Sequence, residues 1–364
     1  MKIFLHGGSI SERGTTRALL DYAKYLREFY SYDVTLVFPK SKVDFEKYKK
    51  IIDLISVDHQ TIYYRNNIEL EKNIKSEGVE FFYAIKGGDY DGLGFKDTRN
   101  LVHSVFQVFQ PHGHRYAYNS IWISNKMRSR FNNHKLRSFF GSSIYGRIIS
   151  EKISKTNFSK MVSDYMVCEN KFSFDYVPHI VEMPTNSGNL RQSLGISNEA
   201  FIIGAMAGEN QFNLNFVKSA IESFLETHSN AYFIGVNIEK FSTSKNAIFL
   251  KPIYNQEYKV EFLSSLDLFI NAREMGESFG LAICESLFQG IPVLAWNGGS
   301  DLNHVELLSG KDWLYKDYNS LIRKLEYFYK SKFEEEDFSE DAKSIVAQFQ
   351  PKNVMLKFNK VFLE

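Results

Sequence analysis

The segment Asn271-Ala-Arg-Glu-Met-Gly-Glu-Ser-Phe-Gly-Leu-Ala-Ile-Cys-Glu-Ser-Leu-Phe-Gln-Gly-Ile-Pro-Val-Leu-Ala295 carries the most information in the chain. It leaves a short apolar run, Leu268–Asn271, which reads as a strand. It then crosses a glycine-containing turn and enters a helical pattern that stops at Gly290. A second strand, Pro292–Trp296, follows. A helix N-terminus presents free backbone N–H groups and a partial positive charge, so such a turn can hold a phosphate. Glycines at 276 and 280 let a ligand come close to the backbone. Glu277 falls in the turn and Glu285 about one turn inside the helix. Two carboxylates so placed can reach different parts of one ligand, one the reacting centre and the other a ribose diol.

Strand–helix alternation continues on both sides of this segment. Lys2–Leu5 reads as a buried strand ending in His6-Gly7-Gly8, and Thr15–Phe29 as an amphipathic helix. Asp33–Phe38, Phe81–Ile85 and Val105–Phe109 read as further strands. The texture turns to Thr-Asn-Ser-Gly-Asn between Pro184 and about Ser197, the signature of a linker. The alternation then restarts, with strands at Phe201–Ala207, Ala231–Val236 and Ala247–Leu250 and a helix at Phe216–Thr227. This pattern predicts an α/β protein of two doubly wound, mostly parallel sheets. The expected domains are 1–183 and 184–343, with a C-terminal helix in 344–364 packing back toward the first. Ligands of such sheets bind beyond the carboxyl ends of the strands, which predicts a site in a cleft between the domains.

The Glu277–Glu285 pair with Ser278-Phe279-Gly280 resembles the Glu-x7-Glu signature of retaining GT-B glycosyltransferases, specifically glycosyltransferase family 4. Its surroundings resemble that family too. Asn255–Leu263 with Ser265-Leu266-Asp267-Leu268 is similar to the helix and strand before the signature. Gly290-Ile-Pro-Val and Gly298-Gly299 are similar to the strand and glycine turn after it, and Leu190-Arg191-Gln-Ser-Leu-Gly-Ile to the usual opening of the second domain. The resemblance implies two Rossmann-like domains and transfer of a hexosyl unit from a nucleoside-diphosphate sugar, with retention and without a metal or other cofactor. The acceptor would be a glycan, a lipid-linked sugar or a protein. Glu277 would support the donor sugar and Glu285 the ribose. Arg273, Ser278, Phe279, Gly280 and Leu281 would line the nucleotide-sugar site. A helix-start carboxylate and a surface glutamate are the plain structural alternative for the pair.

In the first domain, Gly7 and Gly8 end the first strand and are expected at the donor phosphate or the acceptor. A plain strand-to-helix turn is the alternative. Gln110-Pro-His112-Gly-His114-Arg115 is expected in a loop at the carboxyl end of the sheet. Family members often place a histidine there, near the sugar, so His112 and His114 are candidate catalytic or sugar-contacting residues. Both can equally be structural, and without an accompanying acidic cluster a metal is disfavoured. His103, inside an apolar run, reads as a buried, hydrogen-bonded histidine. The family's usual Arg and Lys, which neutralise the donor diphosphate, are missing from Ala205-Met-Ala-Gly-Glu-Asn-Gln-Phe-Asn-Leu-Asn215. Arg273 and Lys218 are the candidate substitutes, Arg273 the better placed at a strand end.

Composition narrows the field further. The chain has 364 residues, 44 Lys plus Arg against 43 Asp plus Glu, and a net charge of +1, so a whole-protein grip on nucleic acid is disfavoured. Two cysteines, Cys168 and Cys284, exclude a disulfide scaffold. The N-terminus turns polar too early for a signal peptide, and no apolar run is long enough to span a bilayer. A reducing, cytoplasmic setting is therefore expected. Residues 125–160 hold nine Lys or Arg against one acid, with Phe and Tyr interleaved. That segment fits a solvated basic face, a peripheral contact with an anionic membrane, or a phosphate-bearing acceptor site. Rival readings of the whole chain are a sugar-nucleotide epimerase and a non-catalytic nucleotide-sugar or glycan-binding module.

Overall fold

The computed structural model describes residues 1–11, 14–138, 173–185 and 188–364, with side chains apart from those of 131–138. The chain divides into two compact units, Met1–Ile180 with Lys352–Glu364 and Val181–Pro351. The predicted docking segment 125–160 lies outside the described residues beyond 138.

The first unit is built on a seven-stranded parallel sheet. Its strands are β1 (Lys2–Gly7), β2 (Asp33–Pro39), β3 (Gln60–Tyr64), β4 (Phe81–Lys86), β5 (Arg99–Ser104), β6 (Arg115–Tyr118) and β7 (Asp175–Tyr176), in the order β3-β2-β1-β4-β5-β6-β7. Helices α1 (Gly14–Tyr30), α2 (Lys49–Asp58), α3 (Asn67–Ser76) and α4 (Ile121–Ser138) alternate with them. Central strands covered on both faces read as continuous apolar runs, as in Ile3-Phe4-Leu5, all fully buried. The helix α1 buries Leu19, Ala23, Tyr25 and Leu26 of the apolar stripe read from its periodicity, and Ala18 and Tyr22 beside them, while Leu20 of that stripe is half-buried.

One expected strand is displaced. Val105–Phe109 is a loop, and the strand lies at Arg99–Ser104. Polar residues disguise it, because each finds an internal partner. Asn100 donates to the Phe95 and Thr98 carbonyls at 2.8 and 2.9 Å, and the Ser104 hydroxyl donates to the carbonyls of Gly87 and Phe106. Buried polar groups are tolerated when so satisfied. His103 is buried, with its Nδ1 2.6 Å from the Tyr83 hydroxyl. The helix α11 (Pro351–Phe358) closes the first unit. The Tyr30 hydroxyl donates to the Met355 carbonyl at 3.0 Å, and the Phe358 ring lies 5.0 Å from that of Tyr22.

The second unit repeats the architecture with six parallel strands. They are β8 (Phe201–Met206), β9 (Ala231–Val236), β10 (Ala247–Leu250), β11 (Leu268–Asn271), β13 (Val293–Trp296) and β15 (Leu314–Tyr315), ordered β10-β9-β8-β11-β13-β15. A separate two-stranded ribbon joins β12 (Gly276–Glu277) to β14 (Asp301–Leu302). Helices α5 (Asn215–Thr227), α6 (Gln256–Leu263), α7 (Leu281–Phe288), α8 (Asn303–Leu307), α9 (Tyr318–Phe333) and α10 (Ser339–Val346) complete it.

The supposed linker is part of this unit from Leu190 onward. Leu190, Arg191 and Ile196 are buried there, and Arg191 reaches Asp267 at 2.8 Å and the Ala200 carbonyl at 2.7 Å. Asp267 also accepts from Ile202 N–H and from Lys332, both at 2.7 Å, one on each oxygen. Among the described residues no helix is long and apolar enough to cross a membrane.

Candidate nucleotide-sugar site

The strand β11 delivers the chain to a tight turn whose shape depends on glycine. The Gly276 N–H donates to the Arg273 carbonyl at 2.9 Å, and Gly276 has φ +74°. A Cβ at Gly276 would stand 2.0 Å from the Asp301 carbonyl oxygen, so the ribbon between β12 and β14 requires glycine there. Gly280, at φ +88°, turns the chain into α7, and no side chain caps that helix. Its first-turn N–H groups are thus left to water or a ligand.

Glu277 is fixed from three directions. Its Oε1 accepts from Asn271 Nδ2 at 3.0 Å and its Oε2 from Arg273 Nη1 at 3.1 Å. Its backbone N–H donates to His304 Nδ1 at 3.2 Å. His304 Nε2 in turn donates to the Trp296 carbonyl at 2.8 Å, which fixes the tautomer. Burial, in the main, lowers the His304 pKa and favours that neutral ring. No local pattern in the sequence marks Asn271 or His304, since one is an asparagine at a strand end and the other a histidine 27 residues beyond Glu277.

Glu285 sits inside the fold. It is buried on α7, and Lys259 Nζ of α6 lies 2.8 Å from its Oε1. Lys259 is likewise buried, and it too escaped the sequence reading because a lysine within a short helix looks like a surface residue. Phe279 is a core side chain, 3% exposed with its ring 5.2 Å from that of Phe349, and its carbonyl accepts from Asn303 Nδ2 at 2.8 Å, so its ring does not line a ligand site. Ser278 and Leu281 are half-buried beside the turn.

The loop that lacks the basic residues lies against this turn. Asn213 N–H donates to the Ala272 carbonyl at 3.1 Å, and Asn213 Oδ1 accepts from Glu274 N–H at 2.9 Å. Arg273 is therefore beside the place where the missing bases were expected. Lys218, half-buried on α5, has no ion pair among the described residues.

In the first unit, His6, Gly7, Tyr64 and Lys86 stand at or next to the carboxyl ends of β1, β3 and β4. His6 Nε2 is 2.8 Å from the Tyr64 hydroxyl, and Lys86 Nζ is 2.7 Å from Asp91 Oδ1. Gly7 is required by packing, because a Cβ would fall 2.5 Å from the Phe38 ring, whereas nothing lies within 4 Å of one at Gly8. His112 is buried, and its Nδ1 donates to the Gln110 carbonyl at 2.6 Å. Its Nε2 is thereby left as a bare acceptor with no partner. Burial, aided by the charge of Lys86, pushes His112 down to about 3. His114 ties the same loop to β5, its Nδ1 accepting from Asn100 N–H at 2.9 Å and its N–H donating to the Asn100 carbonyl at 2.7 Å. Of the two histidines, His112 alone offers a ring nitrogen that is buried and unpartnered. Among the described residues no group of three His, Cys, Asp or Glu side chains is placed to hold a metal ion.

Residues 190–345 match the model of the family described as glycosyl transferases group 1, a span that includes Lys259, Arg273, Glu277, Gly280 and Glu285. No curated protein matches the sequence. Solved structures match over nearly the whole chain. A glycosyltransferase from Rickettsia africae ESF-5 is 12% identical, with 99% of this chain and 97% of that one covered and a TM-score of 0.65. Anabaena HepE in complex with UDP and glucose is 12% identical, with 99% and 98% covered and a TM-score of 0.65. Sucrose-phosphate synthase from Thermosynechococcus elongatus is 11% identical, with 100% and 98% covered and a TM-score of 0.59. The likeness shows the fold: two parallel α/β Rossmann-like sheets, as in GT-B glycosyltransferases.

Proposed function

We propose that the protein is a glycosyltransferase that moves a hexosyl unit from a nucleoside-diphosphate sugar to a hydroxyl of a glycan, lipid-linked or protein acceptor, with retention and without a metal. The observation that carries this reading is Glu277, held by Asn271 and Arg273 at the uncapped start of α7, eight residues before Glu285 and inside the span matching glycosyl transferases group 1. A carboxylate oriented by two donors has its charge fixed in place before the reaction, which is what stabilising a cationic transition state requires. The N–H groups after Gly280 are free to take the leaving diphosphate. Arg273 has guanidinium N–H groups beyond the one given to Glu277. His112 Nε2, a bare buried acceptor, suits a sugar or acceptor hydroxyl. The two rigid sheets supply the frame, and exclusion of water would protect the donor from hydrolysis.

The test is thermal stabilisation by UDP, GDP, ADP and their sugars, followed by a search for transfer and by NMR of the product's anomeric configuration. A nucleotide that binds N alone raises stability by RT ln(1 + [L]/Kd). Stabilisation by one nucleotide, with transfer that Glu277→Gln abolishes, is expected. A binding module is the second reading, favoured by the loop 205–215 without a single Lys or Arg. Binding with neither transfer nor donor hydrolysis would establish that reading instead.

A further inference from the structure

Two loops at the carboxyl edge of the first sheet, those after β4 and β5, are fastened by buried hydroxyls. Ser104 Oγ reaches the Gly87 and Phe106 carbonyls at 3.2 and 3.0 Å. The Tyr116 hydroxyl donates to the Gly88 carbonyl at 3.0 Å and that of Tyr118 to the Val108 carbonyl at 3.2 Å. Tyr90 N–H ties one loop to the other through Gln110 Oε1 at 3.0 Å. The Phe106 carbonyl also accepts from Val108 N–H at 2.8 Å. Phe106 is thus held firmly by its backbone, yet it is 49% exposed while the adjoining Val105 is buried. Asp89 stands close by. A Cβ at Gly87 would lie 3.4 Å from Phe106 Cδ2 and 3.6 Å from Asp89 Oδ2, so the ring and the carboxylate are at most about 7 Å apart, beside a residue with no side chain. Asp89 is exposed and accepts no hydrogen bond among the described residues. The base next to it, Lys86, gives its Nζ to Asp91 at 2.7 Å.

We infer that Phe106 and Asp89 form a subsite for a sugar ring of the acceptor, with a C–H face of the sugar on the Phe106 ring and a hydroxyl of its rim donating to Asp89. A pyranose has what the pair needs. Its axial C–H groups are the positive edge that the negative face of an aromatic ring attracts, and its hydroxyls supply donors to a carboxylate that can only accept. Other occupants fit less well. An alkyl chain would cover the ring but strip water from Asp89 without replacing its hydrogen bonds. A phosphate would meet the Asp89 charge with the nearby ammonium already taken by Asp91. An ammonium would suit ring and carboxylate alike, but the Asp89 charge already acts on Lys86, which a second cation would have to approach. The inference rests on the glycosyl-transfer reading above and names the acceptor class of that reaction as a saccharide. It also gives a role to a rigid loop that presents an aromatic ring to water.

Saturation-transfer NMR and calorimetry with methyl glycosides of glucose, galactose and mannose, alone and with UDP, GDP or ADP present, test this. At least one glycoside should bind, with saturation strongest on the axial protons of one face. Phe106→Ala should weaken it about three- to tenfold, as loss of an aromatic contact implies, and Phe106→Trp should restore it. Asp89→Asn should weaken it about tenfold or more, as loss of a charged acceptor implies. Both residues are exposed, so the thermal midpoint and the nucleotide affinity should hold in every variant. Octyl glycosides below their micellar concentration and a peptide of lysine and arginine are the competing occupants. Binding that requires the octyl chain, or binding of the peptide in place of every methyl glycoside, overturns the inference. So does a glycoside that binds Phe106→Ala as tightly as wild type, and so does the failure of all glycosides to bind. In those outcomes a nucleoside diphosphate that still stabilises the protein leaves the glycosyl-transfer reading standing. Glycoside binding that depends on Phe106, with no nucleotide bound under any condition, would keep the sugar subsite and overturn the transfer reading instead.

Discussion

Arg273 Nη1 lies 3.1 Å from Glu277 Oε2, so the base best placed to meet a diphosphate is bound to the carboxylate assigned to the sugar. The two are four residues apart in a turn closed by the Gly276 N–H on the Arg273 carbonyl, not on a helix face. Both side chains are largely buried, at 20% and 16% exposure, so water screens the pair less than it would at the surface. Arg273 thus orients Glu277 and has further guanidinium N–H groups, which the proposed diphosphate would take.

Arg273→Ala should therefore hurt diphosphate binding selectively. Loss of a charge-assisted hydrogen bond is worth roughly 1.5–3 kcal/mol, about a tenfold or greater loss of affinity. The nucleoside without phosphates should bind the variant nearly as well as wild type. Calorimetry on both ligands checks this. Equal losses for the two would show that Arg273 makes no phosphate contact and acts on Glu277 alone.

Glycine at 276 and glycine at 8 should respond differently to a methyl group. Gly276→Ala puts a Cβ 2.0 Å from the Asp301 carbonyl in a backbone with φ +74°, and the ribbon that carries Glu277 must move. A loss of about 2–3 kcal/mol is expected, and with it most of the turnover. Gly8→Ala meets no atom within 4 Å and should leave the thermal midpoint nearly unchanged. Melting curves of the two variants compare them. A Gly276→Ala protein as stable as wild type would mean that the ribbon does not fix the turn.

Much of this architecture is legible in the sequence because apolar periodicity reports burial. The runs at Phe201–Met206 and Leu268–Asn271 are strands buried on both faces, and the glycines at 276, 280 and 290 mark turns where φ is positive. The strand at Arg99–Ser104 is hidden because Asn100, His103 and Ser104 find partners inside the protein, which no period reveals. The site divides in the same way. Glu277, Glu285 and Gly280 stand in one contiguous segment and are found together. Lys259, Asn271, His304 and the unpartnered nitrogen of His112 depend on contacts between elements distant in the chain. Phe279 shows the opposite error, a residue of the signature whose side chain belongs to the core.

Asp267 should be a stability residue of the second unit. One carboxylate oxygen accepts from Arg191 and from Ile202 N–H, and the other from Lys332. Asp267→Asn keeps the shape but removes the charge that two cations share. Since 19% of the side chain is exposed, the cost falls below that of a fully buried pair, at about 2 kcal/mol. The urea midpoint should drop while the slope stays the same. An unchanged midpoint would assign the fastening of Leu190–Ile196 to its apolar contacts instead.

The buried histidines of the first unit should make it lose stability as pH falls below neutrality. Burial lowers His6 and His103 to about 4 and His112 to about 3, from an ordinary value of 6.5. Each is neutral in the folded protein over a range where the unfolded chain takes up a proton. Above pH 6.5 neither state binds that proton, and the stability is complete. Below it the unfolded state gains protons that the folded state refuses, so stability declines until pH reaches the folded values near 4 and 3. Each histidine contributes a slope of up to about 1.4 kcal/mol per pH unit in that window. Carboxylates begin to matter only below about pH 5, so a decline between pH 6.5 and 5 carries the histidine signature. Urea denaturation at pH 7.5, 6.5, 5.5 and 5.0 measures it, and the ring Cε1–H resonances of His6, His103 and His112 should show no titration above pH 5. Normal titration of those three rings near 6.5, or a flat stability profile from pH 7.5 to 5.0, would mean that they exchange protons with solvent in the folded state and that the edge of the first sheet is open to water.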